Sequence, residues 1–332
     1  MARIPTLVAP ALGSALAVLL LTAPGRAAEV DKLLPNDTEV VFSVNVRQIL
    51  DSPLGKKLPL DQAKEALKAQ DDAHQVLKEL GFDPFTDLDS ITAAVSSGGD
   101  TDKGLLIVRG KFDLEKFRAK AEAVAKDMPD TLKIQKKPNG SGGTTTVYEV
   151  NNVVPGSQTM YVALLNKNTL VASAGIDYVL DAADKDAGRK KTALKNKEVQ
   201  ALLGRVDTTQ SIWAVVLGST LEDSPLGKGG DTKDIVEKVQ DVFAGVAIDK
   251  DIVATLTVTA KKADDAKKIE EALNDGLDQA RGFLAILANS QKEAKPLLNL
   301  LRNIKPTVKD KTVTIEIKVA GEMIEKAINK TD

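Results

Sequence analysis

The chain has 332 residues and no cysteine, so neither a disulfide nor a cysteine-linked lipid can hold or tether it. Its 45 Lys and Arg against 47 Asp and Glu give a formal charge of −2, and this balance argues against a nucleic-acid binder, which needs a basic face. Seven Phe, three Tyr and one Trp are too few for a base-stacking platform or an aromatic carbohydrate cleft, while a hydrophobic fraction of 43% is enough for a core held by packing alone.

Met1–Arg3 is short and basic, and an apolar run follows through Ala15–Leu21 and ends near Pro24. Gly25-Arg26-Ala27 then puts small residues at the −3 and −1 positions of a cleavage site after Ala27, which predicts a secretory signal peptide over residues 1–27. The mature chain is expected to begin near Ala28 and to be periplasmic or extracellular. Retention as a membrane anchor is the rival reading, because the run approaches the roughly 20 residues a span needs. Pro10 and Gly13 interrupt it, and membrane contact is expected only if the segment is retained.

Glu39–Val46 alternates Val40, Phe42, Val44 and Val46 against Val41, Ser43 and Asn45, the period of a half-buried strand. Asp51-Ser52-Pro53 reads as a helix start, with Ser52 as cap and Pro53 at the first helical position, and helix, with a break near Gly55 and Pro59, is expected to reach Leu80, stopped by Gly81. Ile91–Val95 and Leu105–Val108 form a hairpin across Ser96–Lys103, and Asp113 opens a helix carrying Leu114, Phe117, Ala121 and Val124 on one face. Strands are predicted at Leu132–Gln135, Thr145–Val150, Met160–Leu165 and Thr169–Ser173, and a short helix at Ile176–Ala183. The basic run Arg189–Lys197 has acidic neighbours and no interleaved aromatic, so it reads as a solvated connector.

The order then restarts. Ser211–Leu217 is a strand, Asp223-Ser224-Pro225 a second capping triplet, and Asp234–Val242 a predicted helix. Ala244–Ile248 and Ile252–Thr259 make a hairpin, Ala263–Leu273 a helix, and Leu277–Asn303 a further helical stretch interrupted near Pro296. Thr312–Val319 and a helix from Gly321 close the chain. The hexapeptide Asp-Ser-Pro-Leu-Gly-Lys occurs at Asp51–Lys56 and at Asp223–Lys228, 172 positions apart, each time behind an apolar strand. At that offset Val40, Phe42 and Val44 align with Ile212, Ala214 and Val216, which predicts an internal duplication. The β-α-β-β-α-β order gives an α+β class with antiparallel sheets in two related ferredoxin-like modules. The first, residues 28–206, is extended by extra hairpins, and the second is 207–332.

The stretches "LLPNDTEVVFSVNVRQILDSPLGKK" and "LKELGFDPFTDLDSI" resemble a family of exported bacterial proteins without an assigned activity. That family is marked by a signal peptide, an L-P-x-D-T lead-in, a strand, an S-P-L helix start and a G-x-D-P turn. The resemblance covers roughly Leu33 to Leu203, implies an exported location and a fold, and carries no catalytic residue.

Candidate chemistry is sparse. His74 is the only histidine, which excludes a His-pair metal site and makes a helix histidine the simplest reading, ahead of a base oriented by Asp71. Asp83, Asp87 and Asp89 lack the spacing and the terminal Glu of a calcium loop, and read as turn and cap residues, with Phe82 and Phe85 as core plugs. Pro225–Lys233 fails the phosphate-loop pattern, because Glu222 stands where the first glycine belongs and Gly229 follows the lysine. No catalytic, cofactor-binding or metal-ligating residue is assigned, and no cofactor is expected. The expected function is non-catalytic binding or scaffolding of an envelope or extracellular partner. The alternatives are a hydrolase using a Glu/Asp pair and a membrane-tethered binding protein. Two carboxylates converging in a deep pocket would favour the hydrolase; a shallow apolar groove between the modules would favour binding.

Overall fold

A computed structural model of the chain describes residues 30–69, 77–96, 102–139, 143–151, 158–207, 209–291 and 294–328. The first strand, β1 (Thr38–Val44), leads into α1 (Val46–Asp51), a 3₁₀ turn (Gly55–Lys57) and α2 (Leu60–Lys68). A helical turn over residues 77–80 ends as expected on Gly81. There Phe82 N–H donates to the Leu77 carbonyl and Gly81 N–H to that of Lys78, with Gly81 at φ 65°. Next come α3 (Pro84–Asp87), the hairpin of β2 (Leu88–Ser96) and β3 (Gly104–Gly110), and α4 (Leu114–Asp127). The Asp113 carboxylate caps α4 by accepting from the N–H groups of Glu115 and Lys116. The first half closes with β4 (Leu132–Pro138), β5 (Thr144–Val150), β6 (Met160–Asn166), β7 (Thr169–Ser173), α5 (Ile176–Asp186) and α6 (Lys197–Leu203).

The second half opens with β8 (Ile212–Leu217), α7 (Gly218–Asp223), α8 (Pro225–Lys228), a 3₁₀ turn (Gly230–Thr232) and α9 (Lys233–Val236). It continues through β9 (Val239–Ile248), β10 (Ile252–Ala260), α10 (Ala263–Ser290), α11 (Ala294–Asn303), β11 (Thr307–Lys309), β12 (Thr312–Val319) and α12 (Gly321–Ile328). Three expectations change here, the first in that the helix foreseen over Ala263–Leu273 and the stretch from Leu277 run together as α10. The helix foreseen over Asp234–Val242 ends at Val236, because β9 ladders with β8 and β10 on both edges and Val239 and Val242 pack with Val258. The long helical stretch breaks at Gln291 rather than at Pro296, which sits in the first turn of α11, where a missing N–H leaves no bond unmade.

The twelve strands among the described residues join one sheet in the order β11-β12-β10-β9-β8-β1-β2-β3-β7-β6-β5-β4, every pair antiparallel. The α+β class stands, and the ferredoxin-like arrangement does not. A split β-α-β unit places a third strand between the first two, whereas β1 pairs directly with β2, and β8 with β9. The other edge of β1 is taken by β8. Outward from that junction the order runs β1-β2-β3-β7 on one side and β8-β9-β10-β12 on the other. The boundary expected after residue 206 lies in the α6–β8 link, and the core runs across it. Val206, Trp213, Val215 and Leu217 pack in one cluster with Val41, Leu34, Val199 and Leu203.

The sheet's two faces differ. On the packed face, α5, α6 and the segment beginning at Val30 cover Val41, Leu105, Ile107 and Val215. The opposite face is covered only toward its ends among the described clusters. There Phe117 and Ala121 of α4 lie against Tyr148 and Val162, and Ala266 and Ile269 of α10 lie against Val258 and Val313.

Candidate functional site

Cross-strand register fixes which side chains share the second face, since alternate residues on a strand point the same way. A single row crosses it: Leu106 opposes Ala93, Ala93 opposes Phe42, Phe42 opposes Ala214, Ala214 opposes Ala244, and Ala244 opposes Leu256. One flank is the row Val108, Ile91, Val44, Ile212, Val246, and the other is Val95, Val40, Val216, Val242. Every one of these side chains is apolar and none is fully buried, and only Val242 and Leu256, at the α10 end, pack against the cluster beneath that helix. Phe42 is 44% exposed and Val95 36%, whereas Val258 and Val313, on the same face beneath α10, are 6% and 0% exposed.

This inverts the hydropathy of β1. Val40, Phe42 and Val44 are the more apolar set, yet the structure buries Val41 and Ser43, at 0% and 4% exposure, and leaves Phe42 outward. Ser43 tolerates burial because its hydroxyl and that of Thr92 are 2.9 Å apart and share a hydrogen bond. An apolar strand face turned to water beside a buried serine is a local contradiction of the kind that marks interaction surfaces. The open area spans five strands at about 4.8 Å each and three residue pairs along each strand, about 500 Å² in all.

The repeated hexapeptide lies away from this face's centre, and its two copies diverge. β1 and β8 are antiparallel, so the segments that follow them leave at opposite ends of the sheet. Ser52 does not start an α-helix. It ends α1, and its hydroxyl donates to the Ile49 carbonyl and accepts from Gly55 N–H, each at 2.8 Å. Ser224 does cap α8, accepting from Leu226 N–H at 3.2 Å and donating to the Leu221 carbonyl at 2.6 Å. Leu54 is 3% exposed and its N–H donates to Asp249 O in the β9–β10 turn, so it docks against the other half of the chain. Leu226 is 57% exposed. Glycine has the same role in both copies. A Cβ at Gly55 would lie 1.8 Å from the Ile49 carbonyl oxygen, and one at Gly227 would lie 2.4 Å from Glu222 Cα, because each chain doubles back on the preceding helix. Lys56 and Lys228 are exposed.

The acidic residues singled out by sequence hold turns. Asp83 caps α3 by accepting from Phe85 N–H at 2.9 Å, Asp87 accepts from Asp83 N–H at 2.8 Å, and Asp89 lies 3.9 Å from Arg47. Phe82 and Phe85 are half-buried rather than core plugs: Phe82 stacks on Phe112 at 5.2 Å, and Lys64 stands over Phe85. The glycine-rich Pro225–Lys233 stretch folds on itself, with the Thr232 hydroxyl donating to the carbonyls of Leu226 and Gly229. The run from Arg189 to Lys197 ties α5 to the first described segment. Arg189 pairs with Asp184 at 2.9 Å, Ala193 N–H donates to the Asn36 side chain and Lys195 N–H to the Asn36 carbonyl. His74 and residues 1–29 lie outside the described residues.

Buried charge elsewhere is paired. Lys185, with its side chain 1% exposed, donates to the Leu34 carbonyl and to Asp181, each at 2.6 Å. Asp241, 4% exposed, is held by Arg205 at 2.9 Å. A cavity of about 180 Å³ on the packed face contains Arg109, bonded to Asp31 at 2.7 Å and Thr169 at 3.3 Å. Among the described residues, no three His, Cys, Asp or Glu side chains form a metal-holding group, and no helix is long and apolar enough to cross a membrane.

No protein-family model and no curated protein matches the chain. Solved structures of TP0453 are similar in outline. Crystal form III has a TM-score of 0.44 at 9% identity over 91% of this chain and 99% of that one. Crystal form I has 0.43 at 11% over 92% and 98%, and crystal form IV 0.45 at 10% over 90% and 97%.

Proposed function

We propose that this is an exported, non-catalytic binding protein whose working surface is the apolar sheet face at the β1–β8 junction. The observation that supports the reading is the row Ala93–Phe42–Ala214–Ala244, outward and unburied between flanking rows of Val and Ile. A surface of this kind that is left open loses the burial that drives folding, so its retention favours a partner or ligand that completes it. The two halves are read as an internal duplication. Symmetry of the β1–β8 register about Phe42 and Ala214 supports this, with Val40 opposite Val216 and Val44 opposite Ile212. Membership of the exported family that the sequence resembles belongs to the same proposal, as does cleavage after Ala27.

The test is Phe42→Lys in the exported chain, with anilinonaphthalene sulfonate as the reporter of open apolar surface. Dye fluorescence at least threefold weaker, with an unchanged circular-dichroism melt, supports the reading. Equal dye binding by both proteins removes it. Amino-terminal sequencing of the exported protein is expected to begin at Ala28, and an intact Met1 chain in the membrane fraction would support the anchored alternative.

A further inference from the structure

We infer that the occupant of the apolar face is a single unbranched aliphatic chain, such as the acyl chain of a fatty acid, lying across the strands along the Ala93–Phe42–Ala214–Ala244 row. This rests on the binding role proposed above and names the class of ligand.

Three features converge on it. The first is chemical. The row and its flanks carry no side-chain donor or acceptor, and β1 and β8 have neighbours on both edges, so their backbone groups are engaged in ladders. A polar group seated there would give up water and find no partner.

The second feature is shape. Ala93, Ala214 and Ala244 are small side chains, and they lie between ridges built from Ile91, Val44 and Ile212 on one side and Val95, Val40 and Val216 on the other. The two ridges are separated by four residues along each strand, about 13 Å between Cα rows and less between side-chain surfaces. The resulting trough suits a chain one methylene wide, whereas a helix about 10–12 Å across would rest on the ridges without filling it.

The third feature is area. About 500 Å² lies open, below the roughly 800 Å² per partner that a standard stable protein interface buries. α4 and α10 rise from the same face on either side, and restrict how closely a second folded surface approaches the sheet. Phe42 is the one bulky residue among Ala93, Phe42, Ala214 and Ala244, and it is 44% exposed.

The experiment uses the mature chain and cis-parinaric acid, a linear fluorescent fatty acid, beside sedimentation of the unliganded protein. Saturable binding is expected, weakened at least tenfold in Ala214→Leu and in Ala93→Leu, whose added side chains fill the trough, and kept or strengthened in Phe42→Ala, which clears it. Melts of each variant by circular dichroism separate blocked binding from misfolding, and Phe42→Ala decides the matter if both leucine variants fail to fold. Absence of saturable binding, or binding indifferent to a folded Ala214→Leu variant, overturns the inference. If the protein instead self-associates and Phe42→Lys makes it monomeric, the occupant is a second copy, and the aliphatic assignment falls while the binding role stands. If Phe42→Lys changes neither dye binding, fatty-acid binding nor association, both fall together.

Discussion

Phe42 and Ala214 stand directly opposite each other in the β1–β8 ladder, and their offset of 172 positions is also the offset between the two Asp-Ser-Pro-Leu-Gly-Lys copies. β1 and β8 therefore meet edge to edge about the Phe42–Ala214 pair, with Val40 opposite Val216 and Val44 opposite Ile212. Behind this pair, on the packed face, Val41 opposes Val215, and both are 0% exposed. One ladder thus joins the two halves of the sheet and also pairs two fully buried valines.

The first prediction concerns that joint. Val41→Ala and Val215→Ala should each cost about 1–3 kcal/mol, and both should lower the same unfolding transition. Combined, they should depart from additivity, since contacting residues couple. Thermal and urea melts of the single and double variants provide the measurement. Two separate transitions, each sensitive to one variant only, would show that the halves fold independently.

The hexapeptide copies should respond unequally at leucine and equally at glycine. Leu54→Ala is expected to cost about 2–5 kcal/mol, while Leu226→Ala should stay within about 0.5 kcal/mol because its side chain is already in water. Gly55→Ala and Gly227→Ala should both destabilise by about 2 kcal/mol or more, since the new Cβ meets backbone atoms that cannot swing aside. Lys56→Ala and Lys228→Ala should be neutral within about 0.5 kcal/mol. Comparable losses at the two leucines would contradict the burial difference on which this rests.

Lys185 gives a sharper test. Removing its carboxylate with Asp181→Asn leaves a buried ammonium with only a carbonyl for company, and is expected to cost about 3–5 kcal/mol at neutral pH. Replacing the lysine as well, in an Asp181→Asn/Lys185→Met double variant, should recover most of that loss. A double variant no more stable than the single one would mean that the ion pair is incidental.

The same cluster sets a response to acid. Burial pushes the Asp181 carboxyl up, but hydrogen bonds and charge from Lys185 and Lys190 outweigh it and hold the group below its ordinary value. Asp186 behaves alike, with burial opposed by Lys32 and Asn166. A depressed carboxylate contributes stability that is fully present above its unfolded pKa of about 3.9 and is lost as pH falls through the folded value. Stability should therefore be level from pH 7 to about pH 5 and decline below about pH 4, with a shallower decline in Asp186→Asn. Urea melts across that range provide the check, and a wild-type decline no steeper than that of the variant would remove Asp186 from the account.

Local chemistry was legible in the sequence. The carboxylate of Asp113 and the positive φ of Gly81 act within a few residues of themselves, so the boundaries they mark needed no knowledge of the rest of the chain. The hairpins around Asn166–Asn168 and Asp249–Asp251 were equally local, and the repeated hexapeptide was visible as text. Tertiary structure decided which strand edges meet and which apolar face is covered. Period two assigns Val40, Phe42 and Val44 to one face and Val41 and Ser43 to the other, but names neither as the inside. That choice came from tertiary packing, where α5 and α6, more than 130 residues away, and the segment beginning at Val30 cover Val41. For the same reason Leu54 and Leu226, identical in local sequence, end at 3% and 57% exposure: burial depends on the neighbour that arrives, and the β9–β10 turn meets Leu54 through a backbone hydrogen bond.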